Sequence, residues 1–198
     1  MRRYGDNVGL IYDFFPNREN FGINDQRPYI AQMMIPPGYK SLTLNNFTSL
    51  KKLHTCHDGG DGDCTTLSLT NCGFTTLTVP ISVTKLTLKN MPYLKTLVCP
   101  IISKDNLSII DCPELKNIVF VSPNKGYTTF DGIDLSKANC ELSNLVLPGC
   151  VNKITRDAFN GIKCKVVIDN NKINNEGVTY ITCEEPKYGC LDENLTIT

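Results

Sequence analysis

The residues best suited to chemistry lie in one short segment of this 198-residue chain, from His54 to Cys64. The segment contains both histidines of the chain, two of its ten cysteines and three aspartates among glycines. Imidazole and thiolate groups bind zinc, and carboxylate oxygens bind calcium. The potential metal ligands are Cys56, His57, Asp58, Asp61, Asp63 and Cys64.

Their spacing argues against a metal site. It matches no common zinc module, and the aspartates neither follow the order of an EF-hand loop nor precede a closing glutamate. A solvated loop rich in turn-forming residues explains the same segment without a ligand. We therefore predict no metal or other cofactor, and a metal-stabilised loop is kept as an alternative function.

Catalysis has little support in the sequence. Cys56 and His57 form a thiol–imidazole pair, but neighbours on an extended chain point apart, and no third group is evident to orient the imidazole. No glycine-rich phosphate loop follows a strand, and the carboxylates are scattered. We predict that the chain is not an enzyme.

The overall charge excludes some partners. Lys and Arg together number 20, as do Asp and Glu, so the chain lacks the net positive charge that attracts nucleic acids. No apolar run approaches the roughly 18 residues that membrane insertion needs. The first twenty residues contain no apolar core of a secretory signal, because Asp6, Asn7 and Asp13 interrupt them. On this evidence the expected location is cytoplasmic.

A repeat of about 22 residues runs along the chain. Each unit begins with two apolar residues separated by one residue, as in Leu-x-Leu. These anchors are Phe21/Ile23, Leu42/Leu44, Leu67/Leu69, Leu86/Leu88, Leu107/Ile109, Ile133/Leu135, the weaker Ile154 and Val178/Tyr180.

The second half of each unit has its own pattern, in which three apolar residues are spaced L-x-x-L-x-V and a proline often follows. It recurs at 30–35, 50–55, 74–79, 94–99, 115–120 and 142–147. A period of two suits a strand with one buried face and is too short for a helix. We predict a mainly-β, right-handed solenoid of the leucine-rich-repeat type. It should have about seven to eight coils, two parallel sheets and very little helix.

The ends and the longer steps fit this scheme. Residues 1–20 are predicted to be a partial N-terminal unit or cap, and residues 21–198 the solenoid. Within the ends, Leu10–Pro16 and Leu191–Ile197 resemble second strands of a unit. Extra residues after Cys56 and after Pro123 should be extruded loops, because the repeat continues beyond them.

The cysteines follow the repeat. Cys72, Cys112 and Cys150 share an inward position with Phe47 and Met91, and Cys99 shares another with Val79. Small thiols fit such buried positions well, so we expect reduced core residues. Bridging of some of them, and a local bridge between Cys183 and Cys190, remain open alternatives.

The outward positions of the second strands indicate a binding surface. Along the chain they are Met34, His54, Thr78, Val98, Val119, Val146 and Val167. Four successive valines would form an apolar patch of the kind that marks interaction sites. Valine also simply favours strands, and another segment could cover it. We predict a protein-binding surface at Met34, Val98, Val119, Val146 and Val167, with self-association into a structural building block as an alternative.

One unit resembles a known family. Residues 142–168 read LSNLVLPGCVNKITRDAFNGIKCKVVI and are similar to the repeat of BspA-like leucine-rich repeat proteins, L-x-x-I-x-I-P-x-x-V-x-x-I-x-x-x-A-F-x-x-C. The other units carry Leu-Thr-Leu or Leu-Ser-Leu in place of the Ala158-Phe159 turn. The resemblance implies a non-enzymatic binding or adhesion module, often displayed on the cell surface.

Overall fold

A computed structural model describes residues 9–12, 30–35, 40–55, 64–122, 128–155, 157–169, 178–182 and 196–197. These residues form short strands joined by turns. The strands are β1 (Gly9–Tyr12), β2 (Gln32–Ile35), β3 (Ser41–Asn45), β4 (Lys52–Thr55), β5 (Thr66–Thr70), β6 (Thr76–Thr78), β7 (Lys85–Lys89), β8 (Thr96–Pro100), β9 (Leu107–Ile110), β10 (Asn117–Val121), β11 (Thr128–Phe130), β12 (Asn144–Pro148), β13 (Val151–Ile154), β14 (Lys165–Asp169), β15 (Val178–Thr182) and β16 (Thr196–Ile197).

The first sheet is parallel and contains the first strands of the repeat, in the order β1-β3-β5-β7-β9. Equivalent residues are in register, so Leu42, Leu67, Leu86 and Leu107 are successive partners. All four are buried, and the residue after each is half-buried. This alternation follows from the period-two pattern, because successive side chains of a strand point to opposite faces. The register between β3 and β5 is intact across the segment after Cys56 that was predicted to be an insertion.

The second sheet contains the second strands, in the order β6-β8-β10-β12-β14-β15, and is parallel up to β14. Strands β2 and β4 form a parallel pair of their own, and β11, β13 and β16 form a third sheet. The described residues thus wind through a mainly-β solenoid of about six turns with almost no helix. This confirms the predicted fold class, with fewer turns among the described residues than the about seven to eight coils predicted for the chain. Within the described residues, the regular helical element is a single 3-10 turn at Lys104–Asn106.

A single apolar core fills the solenoid. Its largest fully buried side chains include Phe74, Phe120 and Phe130, together with leucines from both sheets. Phe130 packs against Phe120 and Phe159, with ring centroids 5.3 and 5.7 Å away. Among the residues with described burial, no polar or charged side chain is buried. Burial of apolar surface between stacked coils is therefore the main stabilising contribution.

The corners after β3, β5, β7 and β9, and the corresponding corner of the next coil, use the left-handed backbone conformation. Asn46, Asn71, Asn90, Asp111 and Asn139 have φ values of 64°, 51°, 51°, 51° and 53°. Asparagine and aspartate tolerate this region better than other residues with a side chain. The recurring Asn or Asp therefore has a conformational reason: it turns the chain out of the first sheet and towards the second.

Four local predictions were wrong. Leu10–Pro16 was predicted to be a second strand, but β1, which contains Leu10, pairs with β3 in the first sheet, with Leu10 opposite Leu42. The Leu-x-Tyr spacing of β1 suits that register equally well. The pair Thr196–Ile197, also predicted in a second strand, lies beside β13 in the third sheet.

The Ile133/Leu135 pair forms no strand, although Ile133 is buried. The chain turns instead at Gly132, whose φ is +108°. The carboxylate of Asp131 holds this turn, since it accepts hydrogen bonds from Ser103 Oγ at 2.8 Å and from the Lys104 backbone N–H at 3.1 Å. The first sheet consequently ends at β9.

The Val178/Tyr180 anchor was predicted to start a new parallel coil. Instead, β15 runs antiparallel to β14 in the second sheet. Only eight residues separate Asp169 from Val178, and a parallel crossover needs about a dozen or more. The predicted anchor Phe21/Ile23 lies outside the described residues.

Candidate binding surface

Four valines align across the second sheet. Val98 on β8 is the register partner of Val119 on β10, which is paired in turn with Val146 on β12. Val146 is paired with Val167 on β14. Because adjacent strands lie about 4.8 Å apart, the row from Val98 to Val167 is about 14 Å long. The structure thus brings four of the five predicted surface residues together, and we call these four the valine row.

The valine row faces outward. All four side chains are half-buried, whereas the preceding residues Leu97, Ile118, Leu145 and Val166 are fully buried in the core. The two sets alternate along each strand, as a sheet with one core face requires.

A polar row lies beside the valine row, two residues earlier on each strand. It contains Thr96, Asn117 and Asn144, which are register partners and half-buried. On β14 the same position is the exposed Lys165, the register partner of Asn144. The Asn144 Nδ2 group donates a hydrogen bond to Asn117 Oδ1 at 2.8 Å. These residues were not predicted from the sequence, although their constant offset from the valines was a usable signal.

The other side of the valine row is apolar on β8, β10 and β12, whereas the same position on β14 is Asp169, the register partner of Pro148. Two residues after the valines stand Pro100, Val121 and Pro148, of which Pro100 is buried and the other two half-buried. Val121 is the register partner of Pro100. The apolar area is therefore wider than the single row that the sequence indicated.

We call the outward side of β8, β10 and β12 the valine face. This face is electrically neutral. None of the outward residues of β8, β10 and β12 carries a charge. The first sheet is different, since its outward row Thr43, Ser68, Thr87 and Ser108 consists of hydroxyl residues, and the exposed Lys85 and Lys89 flank Thr87. The valine face can make apolar contacts and neutral hydrogen bonds, and it offers no group for acid–base or nucleophilic chemistry.

Both ends of the valine row are defined by register. At one end Thr78, on β6, is exposed and pairs with Val98. At the other end Val167 pairs with Tyr180 of the antiparallel strand β15. The fifth predicted residue, Met34, does not join the row: its partner is His54, in the separate two-stranded sheet of β2 and β4.

Most of the metal-ligand candidates lie outside the described residues. This holds for Cys56, His57, Asp58, Asp61 and Asp63. Cys64 is described: it is buried, and its thiol donates to the Thr66 carbonyl oxygen at 3.2 Å. Over the described ranges, no group of three or more His, Cys, Asp or Glu residues is placed to hold a metal ion.

No helix in the described part of the chain is long and apolar enough to span a membrane. A comparison of the chain with protein-family models, with curated proteins and with solved structures finds no match.

Proposed function

We propose that this chain is a non-enzymatic recognition module that binds a protein partner through the valine row. The observation that carries the proposal is the alignment of Val98, Val119, Val146 and Val167 on four neighbouring strands. All four are half-buried, and on β8, β10 and β12 they are bordered by uncharged residues. Contiguous exposed apolar surface of this kind is typical of interaction sites. The resemblance of residues 142–168 to BspA-like repeats favours the same class of function, including adhesion at a cell surface.

The arrangement matches the anatomy of a protein interface. An apolar centre is formed by the valine row with Val121, and the Asn117–Asn144 pair supplies hydrogen-bonding groups at its border. Interfaces typically have an apolar centre and a polar rim, and their centre contains few charged residues. A stable interface buries about 800 Å² on each partner, more than four valines provide. The partner should therefore cover the flanking rows as well.

Val119 is the most informative residue to change, because it lies between Val98 and Val146. Val119→Asp should leave the fold intact, since the side chain points outward, and should place a charge at the centre of the contact. Thr87→Asp is the matched control, because Thr87 is also a half-buried outward residue at the middle of a strand, but on the first sheet.

The experiment compares the proteins retained from a lysate by the wild-type chain and by both variants, after circular dichroism has shown all three to be folded. We expect proteins that the wild type and Thr87→Asp retain and that Val119→Asp loses. Identical retained sets for all three chains would reject the valine face as the binding site. An unfolded Val119→Asp variant would show that Val119 belongs to the core.

The same face makes self-association the second candidate. Two copies of a neutral apolar face do not repel each other electrostatically, so the charge-free strands β8, β10 and β12 favour pairing of like faces. Sedimentation over a concentration series distinguishes the two candidates. Association that grows with concentration and disappears in Val119→Asp supports a building block, whereas a monomer at all concentrations supports a partner of another kind.

A further inference from the structure

A column of inward-facing side chains follows the left-handed corner residue of successive coils. It runs through Phe47, Cys72, Met91 and Cys112, all of them buried. In the next coil the residue after the corner is Cys140, which is half-buried. Cys150, which was predicted to lie in this column, instead lies between β12 and β13. Cys112 and Cys140 thus each follow the left-handed residue of a corner, in adjacent coils. The backbone hydrogen bonds between the two corners place Cys112 opposite Asn139, the residue before Cys140.

Hydrogen bonds hold these two corners side by side. The Cys112 backbone N–H donates to the Ala138 carbonyl oxygen at 2.7 Å, and the Asp111 N–H donates to the Lys137 carbonyl oxygen at 2.9 Å. The Asn139 amide donates to the Asp111 carboxylate. Stacked coils lie about 5 Å apart, which is within the Cα separations that a disulfide can bridge.

This contact lies where the first sheet stops. Within the first sheet, β3, β5, β7 and β9 are joined in this order by parallel ladders of hydrogen bonds. Residues 131–139 of the following coil form no strand. The corner bonds of Asp111 and Cys112 therefore take over from a ladder at this junction. A covalent link would reinforce the solenoid at this junction.

Cys72 provides an internal comparison. Its thiol donates to the carbonyl oxygen of Thr70, two residues earlier, at 3.5 Å, and the Cys112 thiol donates to Ile110 in the same way at 3.5 Å. In the column, however, Cys72 has Phe47 and Met91 as its neighbours, so a whole coil separates it from Cys112. Cys112 and Cys72 thus have similar surroundings, but only Cys112 has a thiol in an adjacent coil of the column.

We propose that Cys112 and Cys140 form a disulfide between adjacent coils by exchange with a small disulfide such as oxidised glutathione. The half-exposed Cys140 thiolate attacks one glutathione sulfur, which forms a mixed disulfide and releases one glutathione thiolate. Cys112 then loses its proton and attacks the Cys140 sulfur, which releases the second glutathione. Both cysteine thiols are oxidised, and one glutathione disulfide is reduced to two thiols.

The acid–base properties of the two thiols agree with this order. The pKa of Cys112 is raised to about 11, mainly by burial and to a smaller extent by its neighbour Cys140. Burial also raises the pKa of Cys140, but the charge of Lys116 opposes that rise. Cys140, which is the more accessible of the two, should therefore react first with a disulfide from solution.

The test uses the full chain, reduced and then incubated with oxidised glutathione at about pH 8.5, where more thiolate is present. Remaining thiols are alkylated after denaturation, and the digested protein is analysed by mass spectrometry. We expect a peptide pair linked through Cys112 and Cys140, with Cys72 fully alkylated. In Cys112→Ala, Cys140 should stop at the mixed disulfide with glutathione, and in Cys140→Ser, Cys112 should stay reduced.

Several results would overturn the proposal. In the wild type these are complete alkylation of both thiols, a persistent glutathione adduct on Cys140, or a link from either residue to another cysteine. Oxidation of Cys72 to the same extent as Cys112 would also contradict it, because it would show that the adjacent thiol is irrelevant. Circular dichroism of both variants ensures that the comparison is made on folded protein.

Discussion

Gly73 lies directly against the carbonyl group of Thr48 in the preceding coil. A Cβ atom on Gly73 would be 1.8 Å from the Thr48 oxygen, closer than two such atoms can approach. The Gly73 N–H donates to the Phe47 carbonyl oxygen at 3.0 Å, so the two coils are in backbone contact at this corner. The missing side chain is what allows this spacing.

We expect Gly73→Ala to lower the free energy of unfolding by about 2–4 kcal/mol, because the coils must separate to accept the methyl group. Urea denaturation followed by circular dichroism measures the change. Gly161 provides the control: it has φ +75° and nothing within 4 Å of an added Cβ. Gly161→Asn should lower the free energy of unfolding by at most about 1 kcal/mol, since Asn tolerates this backbone conformation. Equal losses of stability at both sites would show that the close contact with Thr48 does not cause the destabilisation.

The left-handed corner at Asn71 supports a second prediction. Asn71 has φ 51°, and its side-chain amide donates to Asn46 Oδ1 at 2.9 Å. Asn71→Ala should lose about 1–2 kcal/mol, from backbone strain and the lost hydrogen bond. Asn71→Gly also loses the hydrogen bond, but glycine adopts this backbone conformation without strain. The glycine variant should therefore be less destabilised than the alanine variant. Thermal denaturation of the two variants gives the order, and an alanine variant as stable as the glycine variant would contradict it.

The fold was largely predictable because apolar residues alternate with outward residues within each strand of the repeat. Leu86 and Leu88 are separated by one outward residue, and the same spacing returns in coil after coil. That pattern fixes which face of each strand is buried. The register follows as well, because a slip of one residue would expose every leucine of a strand. The valine row on the second sheet was predictable for the same reason.

Other features could not be predicted because they depend on contacts between coils. The role of Gly73 arises from Thr48, which is distant in sequence, and the turn at Gly132 depends on hydrogen bonds from Ser103 and Lys104 to Asp131. The apolar spacing of Ile133 and Leu135 suggested a strand, but the turn chemistry of Asp131 and Gly132 outweighed it. Met34 fits the outward pattern, yet its strand pairs with β4 and is not in the valine sheet.

Leu88 provides a third prediction, on the core. Its exposed fraction is 0%, and it is the register partner of Leu69 and Ile109. Leu88→Ala should lower the free energy of unfolding by about 3 kcal/mol, through lost apolar burial and the cavity left behind. Leu88→Asp should prevent folding, because it would bury an unpaired charge. Circular dichroism checks both variants, and a folded Leu88→Asp chain would show that this position does not face the core.

The buried thiol of Cys99 supports a prediction on pH dependence. Burial in the core raises the pKa of Cys99 from 9.0 to about 12. Between these values the unfolded chain releases the thiol proton and the folded chain keeps it, so the unfolded state is favoured as pH rises. The free energy of unfolding should therefore be unaffected by this group below pH 9.0 and fall through the window up to about pH 12. Cys72 and Cys112 add to the fall with the same sign, since burial raises the pKa of each to about 11.

Cys99→Val isolates the contribution of this one thiol. Valine should fit, because Cys99 occupies the position that the buried Val79 holds in the preceding coil. Urea denaturation in the presence of a reductant, repeated over a series of alkaline pH values, measures the free energy of unfolding of both proteins. The wild type should lose about 1 kcal/mol more than the variant by about pH 10, because its unfolded state gains one ionised thiol that the folded state lacks. Parallel pH profiles for the two proteins would show that the Cys99 thiol ionises as readily in the folded chain as in the unfolded one.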